Sequence, residues 1–194
     1  MNKYEQFWLW FSDNEERIYN TIEINTLDIS TEIVNQLKQV HKELEFEIPF
    51  DHQNNKKQFI ISADGLLYLF EEVQELVQSA SRFHRWDIIA FRPRTYQIDQ
   101  VIELDGLCLC YEDIFFTHSS TVPMDIDVYI KNYDETDHRY VHAYFLLLDT
   151  LIGEYDSVTK INNTTVSRYD QKLHLQALPL IRIISIIDKV SKLI

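Results

Sequence analysis

Val101-Ile102-Glu103-Leu104-Asp105-Gly106-Leu107-Cys108-Leu109-Cys110 places two strand-like runs on either side of Asp105-Gly106. That dipeptide tolerates positive φ at both positions, which suits a two-residue hairpin turn between antiparallel strands. The strand pattern extends outward to residues 98–104 on one side and 107–116 on the other. Around it lie further runs of the same kind. Trp86-Asp87-Ile88-Ile89-Ala90-Phe91 is apolar on both alternating faces and is expected as a central strand covered on both sides, stopped by Pro93. Residues 124–130 predict another strand and 164–168 a short one. Residues 45–50, with Phe46, Ile48 and Phe50 alternating, and residues 58–62 predict a hairpin with a long polar loop.

Helical periods flank this strand-rich middle. Phe7, Trp8, Phe11 and Ile18 recur at helical spacings and predict an amphipathic helix over 5–19. Ser30 is a candidate cap for a second helix carrying Ile33, Val34, Leu37, Val40 and Leu44. After Ser62-Ala63-Asp64-Gly65, residues 66–80 keep the helical period, with Ser62 or Asp64 available to cap. Residues 138–152 form a helix apolar nearly all round, closed by Gly153, and such a helix must be buried. Pro179 suits the first turn of a last helix through Ile183, Ile187 and Val190. Strands in the middle and helices at both ends predict an α+β class: a mixed, mainly antiparallel sheet with helices packed on it. The 194-residue length fits one domain over 1–194.

The chain carries 18 basic against 31 acidic residues, a formal charge of −13. Such a field repels phosphate backbones, so nucleic acid is not an expected partner, whereas a basic protein is. A solvated acidic surface is the plainer explanation of the same charge. Cys108 and Cys110 are two apart on a strand and share a face, which no ordinary disulfide spans. With no apolar signal core after Met1 and no run of eighteen apolar residues, a cytoplasmic protein without a membrane span is expected.

Catalytic apparatus is sparse. Gly65, Gly106 and Gly153 stand far apart, which excludes a glycine-rich phosphate loop. His138 and His142 share a helix face, but Arg139 stands where a zinc hydrolase needs its glutamate base, and the cysteines lack a second ligand pair, so no metal or other cofactor is assigned. Ser157-Val158-Thr159-Lys160 puts a lysine one turn after a serine, in a polar, β-branched stretch, and is read as chance.

Two polar groups remain as a candidate ligand site: Arg92 and Arg94 about Pro93, and the carboxylates Asp149, Glu154 and Asp156. Paired guanidinium groups suit bidentate contacts to anions, and Trp86 is a candidate wall. The alternative is a salt-bridge network in which these acids tie a loop to the sheet. Five consecutive large apolar residues, Phe7-Trp8-Leu9-Trp10-Phe11, cannot all face one core, so Trp10 and Phe11 are candidates for a partner surface, including that of a homodimer.

The order of segments, Phe7-Trp8 with Trp10-Phe11, Ile61-Ser62-Ala63-Asp64-Gly65, Arg85-Trp86 with Ala90-Phe91-Arg92-Pro93-Arg94, then Leu148-Asp149 with Gly153-Glu154-Tyr155-Asp156, resembles a bacterial family of single-domain proteins of unknown function. The resemblance covers most of the chain and implies a bacterial cytosolic, stand-alone domain with no reaction, cofactor or catalytic residue to carry over. The leading expectation is an interaction or regulatory module, comparable at class level to acidic immunity proteins that block basic toxins. Its rival is a small-molecule binding protein or an enzyme that holds an anion on Arg92 and Arg94, with Glu154 or Asp156 as acid or base.

Overall fold

A computed structural model describes residues 1–49, 56–95, 97 and 99–190. Within the span read as one domain, the chain groups into two compact units, Met1–Arg92 and Pro93–Ile194. The class is α+β, with helices at both ends and mostly antiparallel strand pairing.

The first unit begins with α1 (Lys3–Thr21), opened by a capping box in which Asn2 Oδ1 accepts from Glu5 N and Asn2 N donates to the Glu5 carboxylate. Phe7, Trp8, Phe11 and Ile18 form its buried stripe. A second helix, α2 (Thr26–Val40), starts four residues before the expected Ser30 cap. Ile29 lies one turn before Ile33 and is buried with it, so continuing the apolar face outweighs the capping preference of Ser30.

Strands β1 (Glu45–Glu47) and β2 (Lys57–Ser62) pair antiparallel as expected, while Phe50 and most of the intervening loop fall outside the described residues. A 3₁₀ turn (Leu67–Leu69) precedes α3 (Phe70–Gln78). Ser62 Oγ accepts from Asp64 N, and so serves the turn at Asp64-Gly65 and does not cap the helix. Asp64 and Gly65 both have positive φ there (49° and 77°), which glycine adopts without strain.

Strand β3 (Trp86–Ala90) runs parallel to β2 in the order β1-β2-β3. The expectation that it is central is therefore corrected. β2 is the middle strand, and its Phe59, Ile60 and Ile61 are all buried, whereas Asp87 of β3 is exposed. Phe59 lies at the heart of an aromatic cluster, with ring centroids 5.1 Å from Phe11, 6.2 Å from Trp86 and 5.6 Å from Phe46. Trp8 Nε1 donates to Leu76 O at 2.7 Å, which lets the indole be buried without losing its hydrogen bond.

In the second unit, β4 (Val101–Leu104) and β5 (Leu107–Cys110) form the expected hairpin, with Asp105 and Gly106 at φ 46° and 87°. It is a separate two-stranded sheet. A 3₁₀ turn at Tyr111–Asp113 breaks the expected strand over 107–116 and sends β6 (Ile114–His118) into another sheet. That sheet has the order β8-β7-β6-β9, with β7 (Met124–Ile130), β8 (Ile161–Arg168) and β9 (Leu178–Pro179). Pro179 thus stands in a strand opposite Phe115 and not in the first turn of the last helix, α6 (Ile183–Val190). The proline sits on an edge strand, where its missing N–H is tolerated.

The apolar helix α4 (Arg139–Ile152) is buried along Ala143, Tyr144, Leu147, Leu148, Leu151 and Ile152. It shares one core with Leu109 of the hairpin, the inner residues of β6 and β7, and Ile183 and Ile187 of α6. Gly153 (φ 79°) ends α4 and opens a short helix, α5 (Glu154–Thr159). No helix among the described residues is long and apolar enough to cross a membrane.

Phe11 is fully buried and Leu9 is 51% exposed. Phe11→Ala is expected to lower stability by about 3–5 kcal/mol in urea denaturation, and Leu9→Ala to change it by no more than about 0.5 kcal/mol.

Candidate functional site

Arg94 is the hub of the expected arginine and carboxylate group within the second unit. Backbone pairing of Thr95 N with Thr150 O at 3.0 Å holds this segment beside the end of α4. The guanidinium then reaches three elements: Nε donates to Ile152 O (2.9 Å), Nη2 to Asp156 Oδ2 of α5 (2.8 Å), and Nη1 to Asp188 Oδ1 of α6 (2.5 Å). A cation at the C-terminal carbonyls of α4 is also favoured by the helix dipole. Burial alone would lower the Arg94 pKa, but hydrogen bonds to Asp188 and Asp156 raise it above the ordinary value on balance, so the group stays charged.

The other carboxylates have different tasks. Asp149 Oδ1 accepts from Ser157 Oγ at 2.7 Å, and the same hydroxyl lies 3.0 Å from Glu154 O. Ser157 therefore secures the turn from α4 to α5. Glu154 is fully buried at the start of α5.

Arg92 and Trp86 belong to the first unit. Arg92 Nε is paired with Glu47, and Nη1 donates to Asp64 Oδ1 at 3.1 Å. Trp86 is 2% exposed, with Nε1 donating to Glu15 Oε1 at 3.0 Å, so its assignment as a ligand-lining wall is corrected: the ring belongs to the aromatic core. Arg85 joins the same carboxylate through Nε and Nη2 (3.2 and 3.0 Å) and lies over the Tyr19 ring at 4.4 Å. Phe11 is likewise corrected as a partner surface, because it fills the core between Phe59, Phe83 and Trp86. Trp10 is half-buried against Phe7 and Phe11, and Leu9 is the exposed member of the block.

Among the described residues, no three His, Cys, Asp or Glu side chains converge as a metal site. Both cysteines are free thiols, Cys108 exposed and Cys110 half-buried. Burial, then hydrogen bonds with Asp113 and Glu112, push the Cys110 thiol up to about 12, and its Sγ lies 3.1 Å from Asp113 Oδ2.

A different surface stands out in the second unit, on the four-stranded sheet. The solvent side of β7 carries Asp125 and Asp127, which accept from β8: Asn162 Nδ2 (2.9 Å) and Asn163 Nδ2 (3.0 Å) meet Asp125, and Thr165 Oγ1 (2.6 Å) meets Asp127. Between Met124 and Ile126 one residue of β7, Asp125, stands against two of β8, Asn162 and Asn163, a bulge whose two asparagines converge on one carboxylate. Beyond it the register is regular from Thr164 to Arg168.

Next to this end of β8 lies a cleft of about 510 Å³ between Val166, Ser167 and Arg168 and the loop residues Asn132, Tyr133, Asp134 and Glu135. Hydrogen bonds from the Thr136 side chain and then its backbone hold the Asp134 carboxyl below its ordinary pKa. On the same sheet His174 stacks on Tyr129 (3.9 Å) and Tyr169 on Phe115 (4.1 Å), fastening the loop before β9. The sequence signals 164–168 as a strand and 134–137 as acidic, but nothing local says that they are neighbours.

Comparison with family models, with curated proteins and with solved structures finds no match.

Two outcomes follow from the geometry. Arg94→Ala is expected to cost about 1–2 kcal/mol in urea denaturation, a charge-assisted interaction discounted for its one-third exposure, and Arg94→Lys to recover little, since an ammonium cannot serve three fixed directions. In iodoacetamide labelling at about pH 8, near the ordinary thiol pKa, Cys108 is expected to react well before Cys110, whose raised pKa keeps it protonated. Asp113→Asn should speed labelling of Cys110, as read by peptide mass spectrometry.

Proposed function

We propose that the protein is an interaction module that binds another protein, one with a basic surface. The observation that carries this reading is the commitment of Arg94: each of its three guanidinium nitrogens already has a protein acceptor, two of them carboxylates. Arg92 is likewise paired with Glu47 and Asp64. An anion-binding pocket needs cations facing open volume, and these two face carboxylates, which favours the module over the small-molecule or enzymatic alternative.

The charge of −13 supports the same reading, since an acidic field accelerates encounter with basic proteins and repels nucleic acid. The proposed setting is a reducing bacterial cytoplasm, in keeping with the free thiols of Cys108 and Cys110. A homodimer is the competing assembly.

The test is affinity capture on the tagged protein at about 50 and 300 mM salt, where screening of exposed charges differs strongly, followed by rebinding with the partner identified and purified. A one-to-one complex weakened by salt is the expected result. Absence of any partner that rebinds in pure form, or a complex indifferent to salt, contradicts the proposal.

A further inference from the structure

We propose that the outer edge of β8, over Thr164–Arg168, is a docking strand for an extended basic segment of a partner protein, whose cationic side chains enter the cleft beside Asp134 and Glu135. The inference rests on the interaction-module reading and names the surface for it.

β8 terminates the sheet order, so among the described residues one side of its backbone has no strand partner. An edge of this kind offers a row of N–H and C=O groups to any chain that can lie alongside. Proteins usually guard such edges with lysine, proline or a bulge. Here the bulge disrupts only the start of β8, at Asn162 and Asn163, and residues 164–168 carry no lysine or proline. Thr165, Ser167 and Arg168 are exposed, and Thr164-Thr165-Val166 has the β-branched composition of a regular strand. The edge is thus regular in register where it meets the cleft.

Charge selects the occupant. Asp134 and Glu135 line the cleft, both exposed, and Asp125 and Asp127 flank the strand on the solvent side. Arg168 also lines the cleft, one cation against these four carboxylates. A second copy of this chain would bring another −13 to the same edge, and an acidic segment would meet the same repulsion, so a lysine- or arginine-bearing segment fits best. Main-chain hydrogen bonds would supply affinity, and the cleft would supply preference for a cation at alternate positions.

The test uses a fluorescent peptide of about nine residues, alternating valine and threonine with lysine at both ends and the centre, long enough to cover the regular part of the edge. Binding is read by anisotropy with the full chain, and the contact surface by amide-resolved NMR titration. Expected are shifts centred on residues 164–168 and 132–135, with affinity at least about tenfold weaker for the glutamate version, a difference of roughly 1.4 kcal/mol. A lysine peptide N-methylated at alternate residues, which keeps its charge but cannot form a ladder, should lose binding, and Glu135→Lys should weaken it without changing the fold.

Equal binding of the N-methylated peptide, shifts centred elsewhere, or no binding overturns the assignment. Concentration-dependent self-association that perturbs the same amides would assign the edge to a second copy and overturn the proposed occupant. If the peptide fails while a purified protein partner still binds, the edge assignment falls and the interaction module stands; if neither binds, both fall.

Discussion

Burial of α4 is the constraint on which the second unit depends. A helix with Ala143, Tyr144, Leu147, Leu148, Leu151 and Ile152 all withdrawn from water exposes too wide an apolar surface for one neighbour to cover. The hairpin β4–β5, the inner faces of β6 and β7, and α6 each take a share. Because the sheet gives one face to α4, residues alternate along β7 between buried Met124, Ile126, Val128 and Ile130 and the solvent-facing Asp125 and Asp127. The position of the acids on the sheet is therefore a by-product of covering the helix.

The first unit solves the same problem with aromatic rings. Phe59, in the middle of a three-stranded sheet, gathers Phe7, Phe11, Phe46 and Trp86 around it, and each buried indole nitrogen finds an oxygen. Cations are then placed at the edge of the cluster, Arg85 and Lys57 over the Tyr19 ring and each paired with a glutamate. In a chain with 31 acids and 18 bases, arginines and lysines are the scarce partners, and the excess of negative charge remains at the surface. That imbalance separates the two functional readings: an anion site requires uncommitted arginines, and a surface for a basic partner requires uncommitted acids.

Much of the fold was legible in the sequence where a local signal had one physical meaning. Asp105-Gly106 between alternating runs gave the hairpin, the apolar pattern of 138–152 closed by Gly153 gave the buried helix, and 124–130 gave β7 with its bounds. Signals with two meanings misled. The apolar run 86–91 reads as a central strand, but β3 lies at the side of its sheet: Trp86 is buried because α1 packs across it, while Ile88, Ile89 and Ala90 are only half-buried. Ser30 has a capping chemistry that the apolar period overrides. Trp86 and Arg94 were read as parts of a ligand site because sequence could not say whether their partners were internal; Trp86 Nε1 meets Glu15, and Arg94 meets Ile152 O, Asp156 and Asp188. The edge of β8 depends on which strand is last in a sheet, a long-range fact that no window of residues carries.

Native-state hydrogen exchange of the protein without a partner tests the central structural claim, that the regular part of β8 is an open edge. The account predicts that amides of β7, bonded on both sides, exchange near the rate of global unfolding, while amides of Thr164–Arg168 that point away from β7 exchange orders of magnitude faster. Uniform slow exchange along β8, equal to that of β7, would mean that the edge is already covered and would contradict the account.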